Sequence, residues 1–379
     1  MVKRLSWILL ILLVLTSLEC GTERRKFIPP ELRDKIIFLC SEGICTINAD
    51  GTDREVIIPS EGKSRFSNPR WSPTKSEIAF TAYIKLEGWR GRGDYAKVLV
   101  AASDGTRVDT LGLIDKRKSK IHKKKASVLR AEGWEHDVSF HSWSPDGKYL
   151  LYVPGGMLDV SAIAVMDRTG KVITQLGGAY ASFGGRNEIV YVGFHDSIVQ
   201  TSSDIYVYDL EKKEKRRVTN ETQQMYLLPV FSPDGKMIAF QHYGPTGNGS
   251  WSNELWIMRS DGSEKKILAE KGKDYEGGAL RFLAFLPDGD KLVFIPDAGD
   301  TSQIYVVNTD GSGVRTLTEK VIRTTGEAGW SPASLSPDGR EVVFTSAKDG
   351  DDELYIADIN GNGLKKLTNN SVIDCCPNW

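Results

Sequence analysis

The stretch WSPDGKYLLY, residues Trp143–Tyr152, is the clearest copy of a motif that recurs along this 379-residue chain. Proline presets the backbone for a tight turn, and Asp-Gly accepts the angles that close it. The apolar run that follows is short and rich in aliphatic and aromatic residues, which is typical of a buried strand. Each copy therefore predicts a hairpin of two antiparallel strands. The copies lie at Asn68–Pro73, Trp143–Gly147, Phe231–Gly235, Phe285–Gly289 and Leu335–Gly339.

Each unit continues with a third strand, a second tight turn and a fourth strand. In the last full unit the third strand is Leu354–Asp358, the turn is Asn360-Gly361, and the fourth strand runs to Leu367-Thr368. Four short antiparallel strands with no helical pattern between them are typical of a β-propeller blade. The turns of this kind in earlier units are Asp50-Gly51, Asp104-Gly105, Asp261-Gly262 and Asp310-Gly311.

The spacing of the motif predicts seven blades. The long interval between Ser144 and Ser232 contains a degenerate unit around residues 183–186, which divides it into two blades of ordinary size. At the N-terminus, residues 36–58 supply strands two, three and four of a blade, and the C-terminal Cys376–Trp379 matches the missing strand one. We therefore expect an all-β, seven-bladed propeller of four-stranded antiparallel blades. Its C-terminal strand joins the N-terminal blade and removes the exposed edges of an open array.

The Trp-Ser-Pro-Asp-Gly units resemble the WD40-like (PD40) repeats of TolB-type β-propeller proteins, over essentially residues 31–379. The resemblance implies a propeller fold and an extracytoplasmic module that binds or scaffolds partners in the cell envelope. This sequence departs from TolB itself, because we count seven units rather than six and expect no separate N-terminal α/β domain. The partner-binding residues of TolB are therefore not transferred to this chain.

The N-terminus is typical of an export signal, with Lys3 and Arg4 before the apolar run Leu5–Leu15. This run is shorter than the roughly 20 residues that a membrane-spanning helix needs. Cys20 follows it and resembles the lipidated cysteine of bacterial lipoproteins, although Glu19 departs from that pattern.

We expect residues 1–20 to form the export signal, 21–30 a short linker and 31–379 the propeller. Lipidation of Cys20 and plain secretion remain alternatives. The mature protein is then a periplasmic or cell-envelope lipoprotein, or a secreted protein, and a lipid anchor at Cys20 is its only expected link to a membrane.

The charges are balanced, with 49 Lys and Arg against 50 Asp and Glu. This balance gives no global electrostatic reason to expect nucleic acid or an anionic membrane surface as a partner. The one strong charge block is Lys116–Lys125, which either meets an anionic partner or forms a solvated insertion.

The four remaining cysteines are predicted to meet where the ring closes. Cys40 and Cys45 belong to strands two and three of the N-terminal blade, and Cys375 and Cys376 to its strand one. Export favours a disulfide, and a bond between the two pairs would lock the ring, worth roughly 4–5 kcal/mol in the chain-entropy model. A local Cys40–Cys45 bridge and free thiols are the alternatives. A four-sulfur zinc site is disfavoured because adjacent residues of a strand point to opposite faces.

Catalytic and cofactor motifs do not appear in the sequence. There is no Gly-x-Ser-x-Gly elbow, phosphate-binding loop, His-Glu-x-x-His or EF-hand loop. The acidic tract Asp349–Glu353 is typical of a solvated turn rather than a calcium site. We therefore expect a binding module without catalytic residues, metal or other cofactor.

The alternative is a metal-dependent polysaccharide lyase or hydrolase with its site at the channel mouth. Oligogalacturonate lyases are seven-bladed relatives that hold a metal through several histidines and a glutamine. The residues to compare are His136, His141, His195, Gln241 and His242.

Turn lengths predict where the binding surface lies. In each blade the first-to-second and third-to-fourth turns are tight, whereas the second-to-third loops and the connections between blades are long. Because strands alternate in direction, both long classes emerge on one face, where we expect an envelope protein or polysaccharide to bind. The alternative for these side chains is that they pack the loops onto the blades. The candidates are Trp89, Arg90, Arg92, Trp134, Glu135, His136, His195, His242, Tyr243 and Trp251.

Overall fold

The computed structural model describes residues 28–60, 65–84, 95–114, 139–153, 162–185, 187–195, 202–221, 224–245, 251–298, 302–318 and 333–379. These ranges form seven four-stranded antiparallel sheets and one 3-10 turn at Pro30–Leu32. The predicted seven-bladed propeller is confirmed. No helix in the described part of the chain is long and apolar enough to span a membrane.

The strands are numbered in chain order. Blade one contains β1 (Lys35–Cys40), β2 (Gly43–Asn48) and β3 (Glu55–Pro59), and blade two contains β4 (Arg65–Trp71), β5 (Glu77–Ile84), β6 (Tyr95–Ala102) and β7 (Val108–Ile114). Blade three contains β8 (Ser139–Trp143), β9 (Tyr149–Val153), β10 (Ala162–Asp167) and β11 (Val172–Gly177). Blade four contains β12 (Ala179–Phe183), β13 (Glu188–Phe194), β14 (Ser203–Asp209) and β15 (Glu214–Arg217).

The remaining blades follow the same order. Blade five contains β16 (Met225–Phe231), β17 (Met237–Pro245), β18 (Trp251–Arg259) and β19 (Lys266–Glu270). Blade six contains β20 (Leu280–Phe285), β21 (Lys291–Pro296), β22 (Tyr305–Asn308) and β23 (Arg315–Thr316). Blade seven contains β24 (Ala333–Leu335), β25 (Glu341–Ser346), β26 (Glu353–Asp358) and β27 (Lys365–Lys366), and β28 (Cys375–Asn378) is the innermost strand of blade one.

The ring closes as predicted, because β28 pairs antiparallel with β1, with Asn378 opposite Ile37. The closing strand is also bound to both neighbouring blades. The Trp71 backbone N–H donates to Asn378 Oδ1 at 2.8 Å, and the Trp379 N–H donates to Ser334 Oγ at 3.1 Å. The closure therefore rests on hydrogen bonds in three directions.

The recurring motif is a self-contained hydrogen-bond unit. In blade three, Ser144 Oγ donates to Asp146 Oδ1 at 2.7 Å and accepts from the Tyr149 N–H at 2.9 Å. Gly147, with a φ of 76°, donates its N–H to the Ser144 carbonyl. Ser232 and Ser336 repeat the serine contacts. Serine and aspartate thus bind the donors that the turn would otherwise leave unpaired.

Lys75 replaces the glycine in the first copy of the motif. It adopts a left-handed φ of 55° and is buried. Its Nζ donates to the carbonyls of Arg33 and Lys35, both at 2.9 Å. The Lys75 side chain therefore links the turn of blade two to the backbone at the start of blade one.

Replacing Lys75 with methionine is expected to lower the free energy of unfolding by about 1–3 kcal/mol, because two carbonyls lose their donor inside the protein. Chemical unfolding measures the change. Lys148→Met, at an exposed position in the same turn of blade three, is the matched control and should unfold like the parent. Equal losses in both variants would contradict this role for Lys75.

Four of the seven innermost strands, β4, β12, β16 and β28, carry a bulge three residues before an aromatic residue. In each of them, the residue at the bulge has a left-handed φ between 49° and 59°. The pairing register shifts at the same places. A bulge turns adjacent side chains away from strict alternation. The four residues are Asn68, Tyr180, Leu228 and Cys376.

Candidate functional site

The second-to-third hairpin ends and a blade-to-blade connection meet on one face, as predicted from the turn lengths. The N–H of Ser203, at the start of β14, donates to the carbonyl of Gln224 at 2.8 Å. Gln224 lies in the connection between blades four and five, and its side-chain oxygen is 2.7 Å from His242 Nε2 in β17. We call the surface formed by these hairpin ends and connections the long-loop face.

The structure describes only part of the predicted set of site residues. His195, His242 and Tyr243 lie on the long-loop face, and Trp251 pairs with Pro245 in blade five. The binding role of the whole set stays a prediction. Those outside the described residues are Cys20, Trp89, Arg90, Arg92, the insertion Lys116–Lys125, Trp134, Glu135 and His136.

His242 is held on both sides of its ring. It lies opposite Glu254 across the β17–β18 pair, and its Nδ1 is 3.1 Å from Glu254 Oε2. Trp256 Nε1 donates to the same carboxylate oxygen at 2.7 Å, and the rings of Trp256 and His242 have centroids 5.0 Å apart. Burial lowers the pKa of His242, although Glu254 acts in the opposite direction. The imidazole is therefore neutral near pH 7.

His195 belongs to a second network in blade four. Its Nδ1 is 3.1 Å from Ser202 Oγ, and its Nε2 hydrogen-bonds Asp204. Asp204 is fully buried, forms an ion pair with Arg217 and accepts a 2.9 Å bond from Thr219 Oγ1. The Asp204 carboxylate therefore links His195, at the end of the β13–β14 hairpin, to the outer strand β15.

Asp204 is not among the predicted site residues, although the repeat contains the signal for its carboxylate. Glu353 occupies the same position in blade seven, where it accepts from Thr368 Oγ1 and lies 3.4 Å from Lys366 Nζ. An acidic residue two positions before the aromatic residue of the third strand thus pairs with the threonine that ends the fourth strand. This repetition shows that the buried acid has a structural role in each of these blades.

A third carboxylate completes the junction of blades four and five. Tyr226 OH donates to Glu221 Oε2 at 2.5 Å, and Lys265 forms an ion pair with the other oxygen. Burial alone would raise the pKa of Glu221, but these two donors lower it to about 2. Tyr226 also donates its N–H to Ser203 Oγ at 2.8 Å, which joins this cluster to the His195 network.

We call these joined networks the blade four–five junction. It contains fixed hydrogen-bonding groups and aromatic rings. Tyr243 follows His242 in β17 and has 37% of its surface accessible. Among the described residues, the one close group of three metal-ligating residue types is Cys40, Glu42 and Cys45, and its two sulfurs are joined in a disulfide. The geometry of the junction suits recognition of a partner through hydrogen bonds and aromatic contact.

The central channel carries a separate group on the innermost strands of blades two and three. Burial lowers the pKa of Arg70 to about 10. His141 is exposed to solvent in the channel, but the protein surrounding the channel partly desolvates it and, together with the charge of Arg70, lowers its pKa to about 4. Near pH 7 this part of the channel therefore presents a charged guanidinium beside a neutral imidazole. His141 belongs to this channel group rather than to the blade four–five junction.

The cysteines meet at the ring closure, but their pairing differs from the favoured prediction. Cys40 and Cys45 form a disulfide across the β1–β2 hairpin, with Cα atoms 5.9 Å apart. Cys375 and Cys376 are free and buried. The bond that would join the two pairs is therefore not formed, because the two cysteines of the hairpin already face each other.

The acidic tract Asp349–Glu353 is only partly the solvated turn that the sequence predicts. Asp352 and Glu353 are fully buried, as is Asp374 nearby, whose N–H donates to the Asp352 carbonyl at 2.7 Å. Arg54 approaches Asp374 to 3.8 Å. The tract is buried where it enters β26, because the repeat places an acid there.

The unfolding free energy of wild type, relative to Asp374→Asn, is expected to fall as pH rises from 4 to 7. Burial raises the pKa of Asp374 to about 6, so between its unfolded pKa of about 3.9 and pH 6 the folded state binds more protons. Urea unfolding of both proteins across this window measures the difference. Parallel pH profiles would contradict the shifted carboxyl.

Comparison with known proteins identifies the repeat. The family model described as the TolB beta propeller domain (PD40) matches residues 180–334. The repeats within residues 180–334 are similar to those of TolB propellers. The Tol-Pal system protein TolB of Anaeromyxobacter dehalogenans is 24% identical over 115 residues, covering 30% of this chain and 24% of that protein. The predicted resemblance to TolB-type repeats is confirmed, and the match spans about a quarter of that relative.

Solved structures share the fold over most of the chain. A TolB protein of Agrobacterium tumefaciens is similar with a TM-score of 0.50 and 21% identity, covering 86% of this chain and 98% of that chain. An oligogalacturonate lyase of Vibrio parahaemolyticus is similar with a TM-score of 0.59 and 15% identity, covering 88% and 89%. At these identities the similarity shows the propeller fold alone.

Proposed function

We propose that the protein is an exported binding or scaffolding module that recognises a protein or polysaccharide partner in the cell envelope. The observation that carries the proposal is the blade four–five junction. It holds His195 and His242 in fixed orientations beside the carboxylates of Asp204 and Glu254, and the exposed Tyr243 is the residue that follows His242 in β17. The name of the TolB relative, a Tol-Pal system protein, supports an envelope partner.

A photo-reactive amino acid in place of Tyr243 tests this proposal in the native envelope. Val172 is the matched control, because 43% of its surface is accessible and it follows a tight turn of blade three, away from the long-loop face. We expect a discrete cross-linked product from position 243 and none from position 172. Identical products from both positions, or none from 243, would contradict the assignment of this face.

The second candidate is the metal-dependent polysaccharide lyase or hydrolase at the channel mouth. Its support is the fold shared with the oligogalacturonate lyase and the neutral imidazole of His242. Elemental analysis of purified protein separates the two functions, because the enzyme would carry one bound transition metal per chain. Turnover of polysaccharide that disappears in His136→Ala, His195→Ala or His242→Ala would establish the enzyme.

A further inference from the structure

Two adjacent cysteines of the closing strand have their thiols side by side. Cys375 Sγ and Cys376 Sγ are 3.1 Å apart, and both residues are almost fully buried. In a regular strand, neighbouring side chains point to opposite faces. Here Cys376 adopts a left-handed φ of 59° in the bulge of the innermost strand, which brings the two sulfurs together. The bulge thus creates a dithiol that strand periodicity would forbid.

We propose that Cys375 and Cys376 are an oxidation site that forms a disulfide between adjacent residues. The other two cysteines in the described part of the chain are already bonded to each other as Cys40–Cys45. Among the described cysteines, the free thiol nearest to Cys375 is therefore that of Cys376.

The oxidant is an external disulfide, carried by a protein or by a small thiol such as glutathione. One cysteine thiolate attacks a sulfur of the external disulfide, forming a mixed disulfide and releasing one thiolate. The second cysteine thiolate then attacks the cysteine sulfur of the mixed disulfide and releases the other thiolate. Two cysteine thiols lose two electrons and two protons, and the external disulfide gains them as two thiols.

The fold gives the thiols a route to the oxidant. Strand β28 has four residues and pairs with β1 at two registered positions, Ile37 with Asn378 and Leu39 with Cys375. Transient local opening of a short strand exposes its buried side chains without unfolding of the whole ring. In the docked strand, the bond to Cys376 and burial raise the pKa of Cys375 well above its usual range. Oxidation therefore proceeds from the opened strand, and redocking buries the product.

Mass spectrometry of the non-reduced protein tests the site directly. Trypsin releases Leu367–Trp379, which contains both cysteines and no other, whereas Cys40 and Cys45 share the peptide Ile36–Arg54. After purified full-length protein is treated with oxidised glutathione, Leu367–Trp379 should be lighter by two hydrogen atoms and linked to nothing else. It should also resist alkylation until a reductant is added.

Two single variants are the controls. Cys375→Ser and Cys376→Ser each keep one thiol, so glutathione should remain attached to that thiol instead of being displaced. Circular dichroism establishes that both variants fold. The proposal is overturned if the wild-type peptide retains glutathione or two separately alkylated thiols, or if it is cross-linked to Ile36–Arg54.

Discussion

Removal of Cys375–Trp379 is expected to abolish cooperative folding, rather than to weaken a single blade. The deletion uncovers the edge of β1, where Ile37 and Leu39 pair with the closing strand. It also removes the Asn378 oxygen that accepts the Trp71 N–H. The deletion therefore leaves the inner edge of blade one unpaired and removes the contacts of the closing strand with blade seven. Circular dichroism with thermal unfolding, together with the size distribution in solution, measures the result.

A synthetic peptide of residues 374–379 provides the control for this deletion. The native peptide should restore part of the unfolding transition to the truncated protein, whereas a scrambled peptide of equal composition should not. A truncated chain that unfolds with the parent midpoint, without added peptide, would show that the closing strand is dispensable.

Asp204→Ala is expected to lower the free energy of unfolding by about 2–4 kcal/mol, because Thr219 and His195 lose their hydrogen bonds to a buried carboxylate. It also removes the ion pair with Arg217, which contributes less because 44% of the Arg217 side chain is exposed. Asp109→Ala is the matched control, since Asp109 forms an exposed ion pair with Arg107 whose loss should cost less than about 1 kcal/mol. Urea unfolding of the three proteins compares the two losses.

Asp204→Asn separates charge from shape at the same position. It keeps the side-chain volume and an oxygen for Thr219 but not the charge opposite Arg217, so its loss should lie between those of the alanine variants. If Asp204→Ala and Asp109→Ala cost the same, Asp204 would not be the structural centre of blade four that the repeat indicates.

The blade count and the closure were predictable because they follow from chemistry local to each repeat. Ser144, Asp146 and Gly147 satisfy their own turn, and any copy of the motif can be recognised without knowing its neighbours. Blade four lacks the Ser-Pro-Asp-Gly turn, and the apolar pattern of its strands alone predicts this blade. The Lys75 clamp was not predictable, since its partners Arg33 and Lys35 lie in another blade.

The remaining differences between prediction and structure come from side-chain contacts between segments that are distant in the sequence. Strand alternation placed Cys375 and Cys376 on opposite faces, but the left-handed residue at Cys376 cancels that alternation. The turn lengths predicted which face of the propeller carries the candidate site, but not the hydrogen bonds among its side chains. Gln224 links His242 of blade five to Ser203 of blade four. This contact depends on how the two blades pack together, and the sequence of a single repeat does not determine that packing.

The most direct test of the long-loop face is the dissociation constant of the purified protein for the partner cross-linked at position 243. We predict that Tyr243→Ala weakens binding at least about tenfold, equivalent to about 1.4 kcal/mol, with unchanged thermal unfolding. Val172→Ala, on the opposite side of the ring, should bind like the parent. Equal affinity of the parent and Tyr243→Ala, or a loss in Val172→Ala of the same size, would contradict the account.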